Sequence, residues 1–143
     1  MQFQHKWFHQ LTTQELYEIL RARESVFLLE QRIVCQDLDR NDYDALHCFL
    51  EEDGQLLAYL RAYRTEEGEI KIGRVLSLTR GVGHGALLMK QAVPAIRSAF
   101  SCQEIIVHAQ TQALGFYQAM GFTITSPEFM EEGVPHVGMA LTK

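Results

Sequence analysis

"LTRGVGHGALLMKQAV", residues 78–93, sets three glycines at alternate positions, Gly81, Gly83 and Gly85, directly ahead of an apolar run with helical spacing. Glycines so spaced leave neighbouring backbone N–H groups uncovered by any Cβ. The first turn of the helix that follows adds unpaired donors and the positive end of its dipole. Such a turn cradles an anion, most often phosphate. The plainer alternative is a glycine-rich connection from strand to helix. Gly81 to Ala86 also satisfies G-x-G-x-x-A, the dinucleotide fingerprint, whereas a P-loop is excluded because no Gly-Lys-Ser/Thr follows.

What flanks the loop decides between these readings. Upstream, "HCFLEEDGQLLAYLRAYRTEEGEIKIGRVLSL" (residues 47–78) alternates and is broken at Asp53-Gly54 and Glu67-Gly68, which predicts three antiparallel strands. A dinucleotide unit needs parallel strands there, and an acidic residue at the carboxyl end of the next strand to hold a ribose. "EIIVHAQ" (residues 104–110) has Glu104 at its beginning and His108-Ala109-Gln110 at its end, so a dinucleotide-dependent oxidoreductase is the weaker reading.

Further out, "FQHKWFH" (residues 3–9) reads as an opening strand and "LTTQELYEILRARESVFLLEQ" (residues 11–31) as a helix. Thr12 and Glu15 form a capping box, and Leu16, Ile19, Leu20, Arg23 and Phe27 fall along one stripe. A helix from Gly83 to Phe100 contains Pro94, which predicts a kink or interruption. "TQALGFYQAMG" (residues 111–121) is a second helix stopped by Gly121, and "FTIT" and "HVGMALT" close the chain as strands around the loop "SPEFMEEGVP". The predicted order is β-α-β-β-β-α-β-α-β-β: an α/β (α+β) mixed sheet flanked by helices, with one parallel pair around the glycine loop.

Composition narrows function. A chain of 143 residues is expected to form a single domain, 1–143, and its net charge of -5 argues against binding nucleic acid backbones. Any anion must be bound locally. No apolar run approaches the roughly 20 residues of a membrane span. The start "MQFQHKWFHQ" has no signal-peptide core, so a cytoplasmic protein without membrane attachment is expected. Cys35, Cys48 and Cys102 form no CxxC pair and read as reduced packing residues. Asp37-x-Asp39-x-Asn41 begins like a calcium loop, but Asp42 replaces the required glycine and Cys48 the bidentate glutamate; it reads as a solvated acidic loop able to attract amines. His5 and His9 would pair on a metal only in a helix, and they fall in the predicted strand, so no metal is expected.

The chain resembles the GNAT superfamily of acyl-CoA N-acyltransferases. Arg80-Gly81-Val82-Gly83-His84-Gly85 fits its Q/R-x-x-G-x-G/A signature, and "HAQTQALGFYQAMGF" is similar to its second motif, an aromatic-Tyr pair followed by Gly-Phe. The likeness extends to the ElaA-like branch through "RARESVFLLEQ", "IGRV" and "EEGVPHVGM", so it covers nearly the whole chain in order.

The resemblance implies an N-acetyltransferase that uses acetyl-CoA on a primary amine. It places the pyrophosphate of coenzyme A on Arg80, Gly81, Val82, Gly83, His84, Gly85 and Ala86, and pairs the pantetheine arm with the backbone of Val75, Leu76 and Ser77. An amide near Leu76 or Ser77 would polarise the thioester oxygen. Tyr117 stands where the family keeps the tyrosine that protonates the leaving thiolate; without the resemblance it reads as a core aromatic beside Phe116. Gln110 stands where the family often has Asn against the cofactor. The residues leave the base open: His108, on the strand after the glycine-loop helix, has a suitable ordinary pKa, and a water chain would also serve. His136 lines an acceptor cleft or satisfies a loop, Glu30 recognises a cationic amine or is a surface carboxylate, and His84 faces solvent or phosphate. The acceptor is a small-molecule or peptide amine, and a homodimer is expected by analogy. A non-catalytic acyl-CoA-binding or sensing module would keep the cradle without needing Tyr117.

Overall fold

The computed structural model describes residues 1–143. Strand β1 (Gln2–Trp7) ends before His9, because Phe8–Gln10 close into a single 3-10 turn. Helix α1 (Thr13–Arg23) starts at the predicted capping box: Thr12 Oγ1 accepts from the Glu15 amide at 3.0 Å, and the Glu15 carboxylate accepts from the Thr12 amide at 2.8 Å. Over Glu24–Glu30 the helix widens to π geometry, seen in the Gln31 amide donating to the Val26 carbonyl. That widening turns Phe27 and Gln31 toward the middle of the sheet.

The sheet runs β1, β2 (Leu46–Glu52), β3 (Gln55–Arg64), β4 (Ile70–Ser77), β5 (Glu104–Gln110), β8 (Val134–Thr142), β6 (Thr123–Ile124), and β7 (Phe129–Glu131) also pairs with β8. Every pairing is antiparallel except β4 with β5, as one crossover through α2 (His84–Phe100) requires. This arrangement removes the dinucleotide reading.

Two further expectations about the elements need correction. Helix α2 runs unbroken through Pro94, because its buried stripe of Leu88, Met89, Ala92, Val93 and Ile96 is held on the sheet despite the lost N–H. The segment 126–135, read as loop, contains β7, joined to β8 by the two-residue turn Glu132-Gly133 with φ of 51° and 74°.

Helix α2 and the short α3 (Leu114–Ala119) cover one face of the sheet, over Leu60, Ile72, Ile105, Val107 and Met139. The other face packs Phe49, Tyr59 and Leu76 against Ile19, Ala22 and Val26 of α1 and its π turn. The helices on the two faces thus sandwich β4, the strand from which the glycine loop departs. No helix is long and apolar enough to cross a membrane.

The acidic loop is not a solvated one. Arg23, placed on the apolar stripe of α1, and Arg61 of β3 are 0% and 1% exposed, and the loop's carboxylates reach in to meet them. Asp42 accepts from Arg23 Nη1 at 2.7 Å and from Arg61 Nη1 at 2.8 Å. Asp39 accepts from both Arg61 terminal nitrogens, and Asp37 from Arg23 Nε and Arg74 Nε. Burial works against the charge on Asp42 and Asp39, yet the guanidiniums outweigh it and hold both below the usual carboxylate range. His47 is buried between the Tyr59 hydroxyl and the Asp42 carbonyl, and burial pushes its pKa down.

A carboxylate depressed in the folded state stabilises above its unfolded pKa and ceases to do so as it protonates; a buried histidine that must stay neutral behaves alike from its own unfolded pKa. Stability should therefore begin to fall below about pH 6.5 and fall steeply below about pH 4. Asp42→Asn, which leaves two buried guanidiniums short of one carboxylate, should cost about 3–5 kcal/mol at neutral pH and flatten the second, acidic fall. Urea unfolding as a function of pH measures both, and a cost below about 1 kcal/mol would mean the network is not the tie described.

Candidate active site

Strands β4 and β5 share only two paired positions, Lys71 with Ile106 and Ile72 with Val107, and then part. The cause lies on the other edge of β4. Arg61 faces Gly73 and Tyr59 faces Leu76, so Arg74 and Val75 together oppose Leu60 in a β-bulge. Arg74 sits in the left-handed region with φ of 54°, which costs an L-residue about 1–2 kcal/mol. Asp37 clamps it there, with Oδ1 2.7 Å from Arg74 Nε and its carbonyl 3.0 Å from Nη2. The parted strands open a cleft of about 540 Å³ lined from both faces of the sheet, by Val107 and Tyr117 on the α2–α3 side and by Lys71, His108, Glu131 and His136 on the α1 side.

Beyond the bulge, the Leu78 amide donates to the Leu57 carbonyl at 3.0 Å, which fixes the ladder's phase. Leu76 therefore turns its backbone to β3, and the residues on either side of it, Val75 and Ser77, turn theirs to the cleft. Of the two amides expected to polarise an oxygen, Ser77 has a free donor and Leu76 does not.

At the end of β4 the amides of Gly81 to Ala86 donate to no protein acceptor. Gly81 and Gly83 take left-handed φ of 78° and 79°, with open space where a Cβ would stand. Gly85 serves differently: a Cβ there would touch the Phe116 ring at 3.6 Å, so this glycine lets α2 approach α3. His84 opens α2 with its Nδ1 shielded from water and unpaired. These open donors and the helix start fit a pyrophosphate-sized anion. Val82 is exposed and adds an amide only, while Arg80 is paired with Glu30. That pair lies at the glycine loop; Glu30 is not among the residues lining the cleft.

Tyr117 is buried, edge-on to Phe116 and Phe122, and lines the cleft. Burial raises its pKa, and no hydrogen bond opposes the shift. Across the cleft, His108 Nδ1 lies 2.8 Å from Glu131 Oε1 and 3.0 Å from Lys71 Nζ, while its Nε2 has no protein partner. His136 donates from Nδ1 to the Val134 carbonyl at 2.7 Å, and its Nε2 is 3.8 Å from Glu131 Oε2. The Phe129 ring stacks on His136 and meets His108 edge-on. The hydrogen bond from His108 holds the Glu131 carboxyl low, and burial draws the Lys71 ammonium down. Gln110 donates to Gln31 Oε1 at 3.0 Å and accepts from Gln112 at 2.8 Å.

His108, His136, Tyr117 and Gln110 are therefore brought to one cleft, together with Lys71, Glu131 and Gln31, which the sequence reading missed. A signal for Glu131 was present: Glu132-Gly133 is the same dipeptide as Glu67-Gly68, already taken as a hairpin mark. Lys71 and Gln31 carry no such signal.

The description of the family model that matches residues 25–143 is an acetyltransferase (GNAT) domain. The chain belongs to the GNAT family. Among similar proteins, a UPF0039 protein of Schizosaccharomyces pombe is 33% identical over 99% of this chain and 97% of its own length. Escherichia coli ElaA is 31% identical over 92% of this chain and 90% of its own. Among solved structures, an acyl-CoA N-acyltransferase from Pseudomonas aeruginosa superposes with a TM-score of 0.91 at 34% identity, covering 99% of this chain and all of that one. E. coli ElaA superposes at 0.89 with 29% identity, covering 98% of each chain. This GNAT protein is of the ElaA-like branch, and the family's acyltransferase chemistry, which generally uses acyl-CoA, is the frame for its cleft.

Gly83→Glu places a side chain on a left-handed residue and a carboxylate in the cradle. Coenzyme A affinity in calorimetric titration should fall by about 100-fold or more, close to 3 kcal/mol, with thermal stability changed far less. Unchanged affinity would place the anion elsewhere.

Proposed function

We propose that the protein transfers the acetyl group of acetyl-CoA to a primary amine by direct attack of the amine on the thioester. The observation that carries this is the cleft through the parted β4 and β5, with free amides on its β4 edge, the Tyr117 ring on one side of the sheet and a histidine–carboxylate cluster on the other. Acetyl-CoA supplies the activated acyl group.

The amide of Ser77 donates to the thioester oxygen as negative charge develops on it. His108 takes a proton from the acceptor's ammonium at Nε2, leaving a neutral amine to form the N–C bond. As the C–S bond breaks, Tyr117 gives its proton to sulfur, while the amide nitrogen sheds its second proton to solvent, from which Tyr117 is reprotonated. Burial makes Tyr117 a weaker acid, and it likewise makes a thiolate formed beside it a stronger base. Arg80 and the amides of Gly81 to Ala86 hold the pyrophosphate, the β4 backbone from Val75 through Ser77 aligns the pantetheine arm, and Gln110 stands beside it. His136 and Glu131 face the acceptor's side, and the acceptor is a small-molecule or peptide amine met in the cytoplasm. Glu30 supports this site through Arg80 rather than by reading the amine.

Tyr117→Phe should lower kcat by about 100-fold while leaving acetyl-CoA binding within about threefold. The assay is release of free thiol with a panel of an alkylamine, an arylalkylamine, a polyamine, an amino acid and a short peptide. Unchanged turnover in this variant would remove Tyr117 as the acid. A wild-type protein that binds acetyl-CoA yet releases no thiol with any amine would be a binding module instead.

A further inference from the structure

One ring nitrogen in the cleft has two partners that want opposite things of it. His108 Nδ1 lies 2.8 Å from a Glu131 oxygen, which can only accept, and 3.0 Å from the Lys71 ammonium, which can only donate. A neutral imidazole satisfies one of them at a time. With the proton on Nδ1 and the hydrogen bond to Glu131, Nε2 carries a lone pair. With Nδ1 accepting from Lys71, the proton is on Nε2, and that nitrogen has no lone pair to take another.

We propose that Glu131 is a positioning residue that holds His108 in the Nδ1–H tautomer, leaving the Nε2 lone pair open, and that Lys71 opposes it. This rests on the reading of His108 as the base. Three observations favour Glu131 over Lys71. Its contact is the shorter. In the opposite tautomer its carboxylate would face the Nδ1 lone pair at 2.8 Å, acceptor against acceptor. Its alternative partner, His136, has Nδ1–H committed to the Val134 carbonyl, so neutral His136 turns a lone pair toward Glu131 and cannot draw it from His108.

The charged and titratable groups that meet the ring are Lys71 on β4 and Glu131 on β7, with His136 on β8 beyond Glu131; Glu69 and Glu128 line a neighbouring pocket with it but make no hydrogen bond to it. Tyr63 and Arg61 on β3, with Arg74 and Asp39, act on Lys71 from behind. The three arginines Arg23, Arg61 and Arg74 are matched by Asp37, Asp39 and Asp42. Lys71 and Glu131 are thus the pair left to decide the ring's state. When Nε2 takes the acceptor's proton, the imidazolium keeps its Nδ1–H on Glu131, and the charge forms beside a carboxylate rather than in the open. The glutamate that sets the base arrives on a hairpin of its own.

Nitrogen-15 NMR of the full-length protein labelled at histidine reads the tautomer directly and needs no acceptor. Wild type should show His108 mainly as Nδ1–H. Glu131→Leu should move it to Nε2–H, Glu131→Asp should largely keep Nδ1–H, and Lys71→Met should make Nδ1–H complete. An Nε2–H ring in wild type, no change in Glu131→Leu, or a shift toward Nε2–H in Lys71→Met would each overturn the proposal. Turnover with the best amine of the panel is a separate readout: Glu131→Leu should lower kcat about tenfold to 100-fold with KM little altered. If the tautomer moves as stated and kcat does not, Glu131 still controls the ring, and the assignment of His108 as base is what fails.

Discussion

A single bulge in β4 is the constraint on which the site depends. Were Arg74 and Val75 not sharing one partner on β3, β4 would run on beside β5 and the sheet would be closed where the cleft now passes through it. The bulge puts a non-glycine residue, Arg74, in the left-handed region, a conformation that persists only where the surroundings enforce it. Asp37 does so from the acidic loop, and Asp37 is in turn held by the fully buried Arg23. Strain at the site is thus anchored to α1, distant in sequence and adjacent in space.

The same network explains why so acidic a protein can serve an anionic ligand. Asp37, Asp39 and Asp42 of its loop are each paired with arginines rather than left free beside the cleft. An anion's charge can be met instead by backbone donors and a helix start, which need no basic groove. Buried pairs of this kind add little net stability over apolar packing but are costly to break singly, so they act as a specific fastener for loop, helix and bulge.

Much of the fold was legible because it is written in local marks. The alternate glycines, the Asp53-Gly54 turn and the Thr12–Glu15 capping box each carry their meaning within a few residues. The bulge, the π turn and the arginine network were not legible, since each depends on partners far apart in sequence: Arg23 with Asp42, Arg61 with Asp39, Arg74 with Asp37. Pro94 misled for the related reason that the packing of α2 outweighs a local breaker. At the site, Tyr117 and the glycine loop stand out by motif and His108 by its place on the strand, whereas nothing local marks Lys71 and Glu131 falls in a segment that reads as loop. Their meaning comes only from the ring nitrogen they share.

The central claim is that one continuous ligand lies along β4 and ends on the glycine loop. Titrating acetyl-CoA into uniformly nitrogen-15-labelled protein while following every backbone amide tests it most directly. The amides of Val75, Ser77 and Gly81 through Ala86 should shift together, most strongly, and with one common saturation curve, while Leu76, bonded to β3, shifts less. Shifts confined to the glycine loop, with the β4 edge silent, would show an anion site without a thioester in the cleft, and would contradict the account.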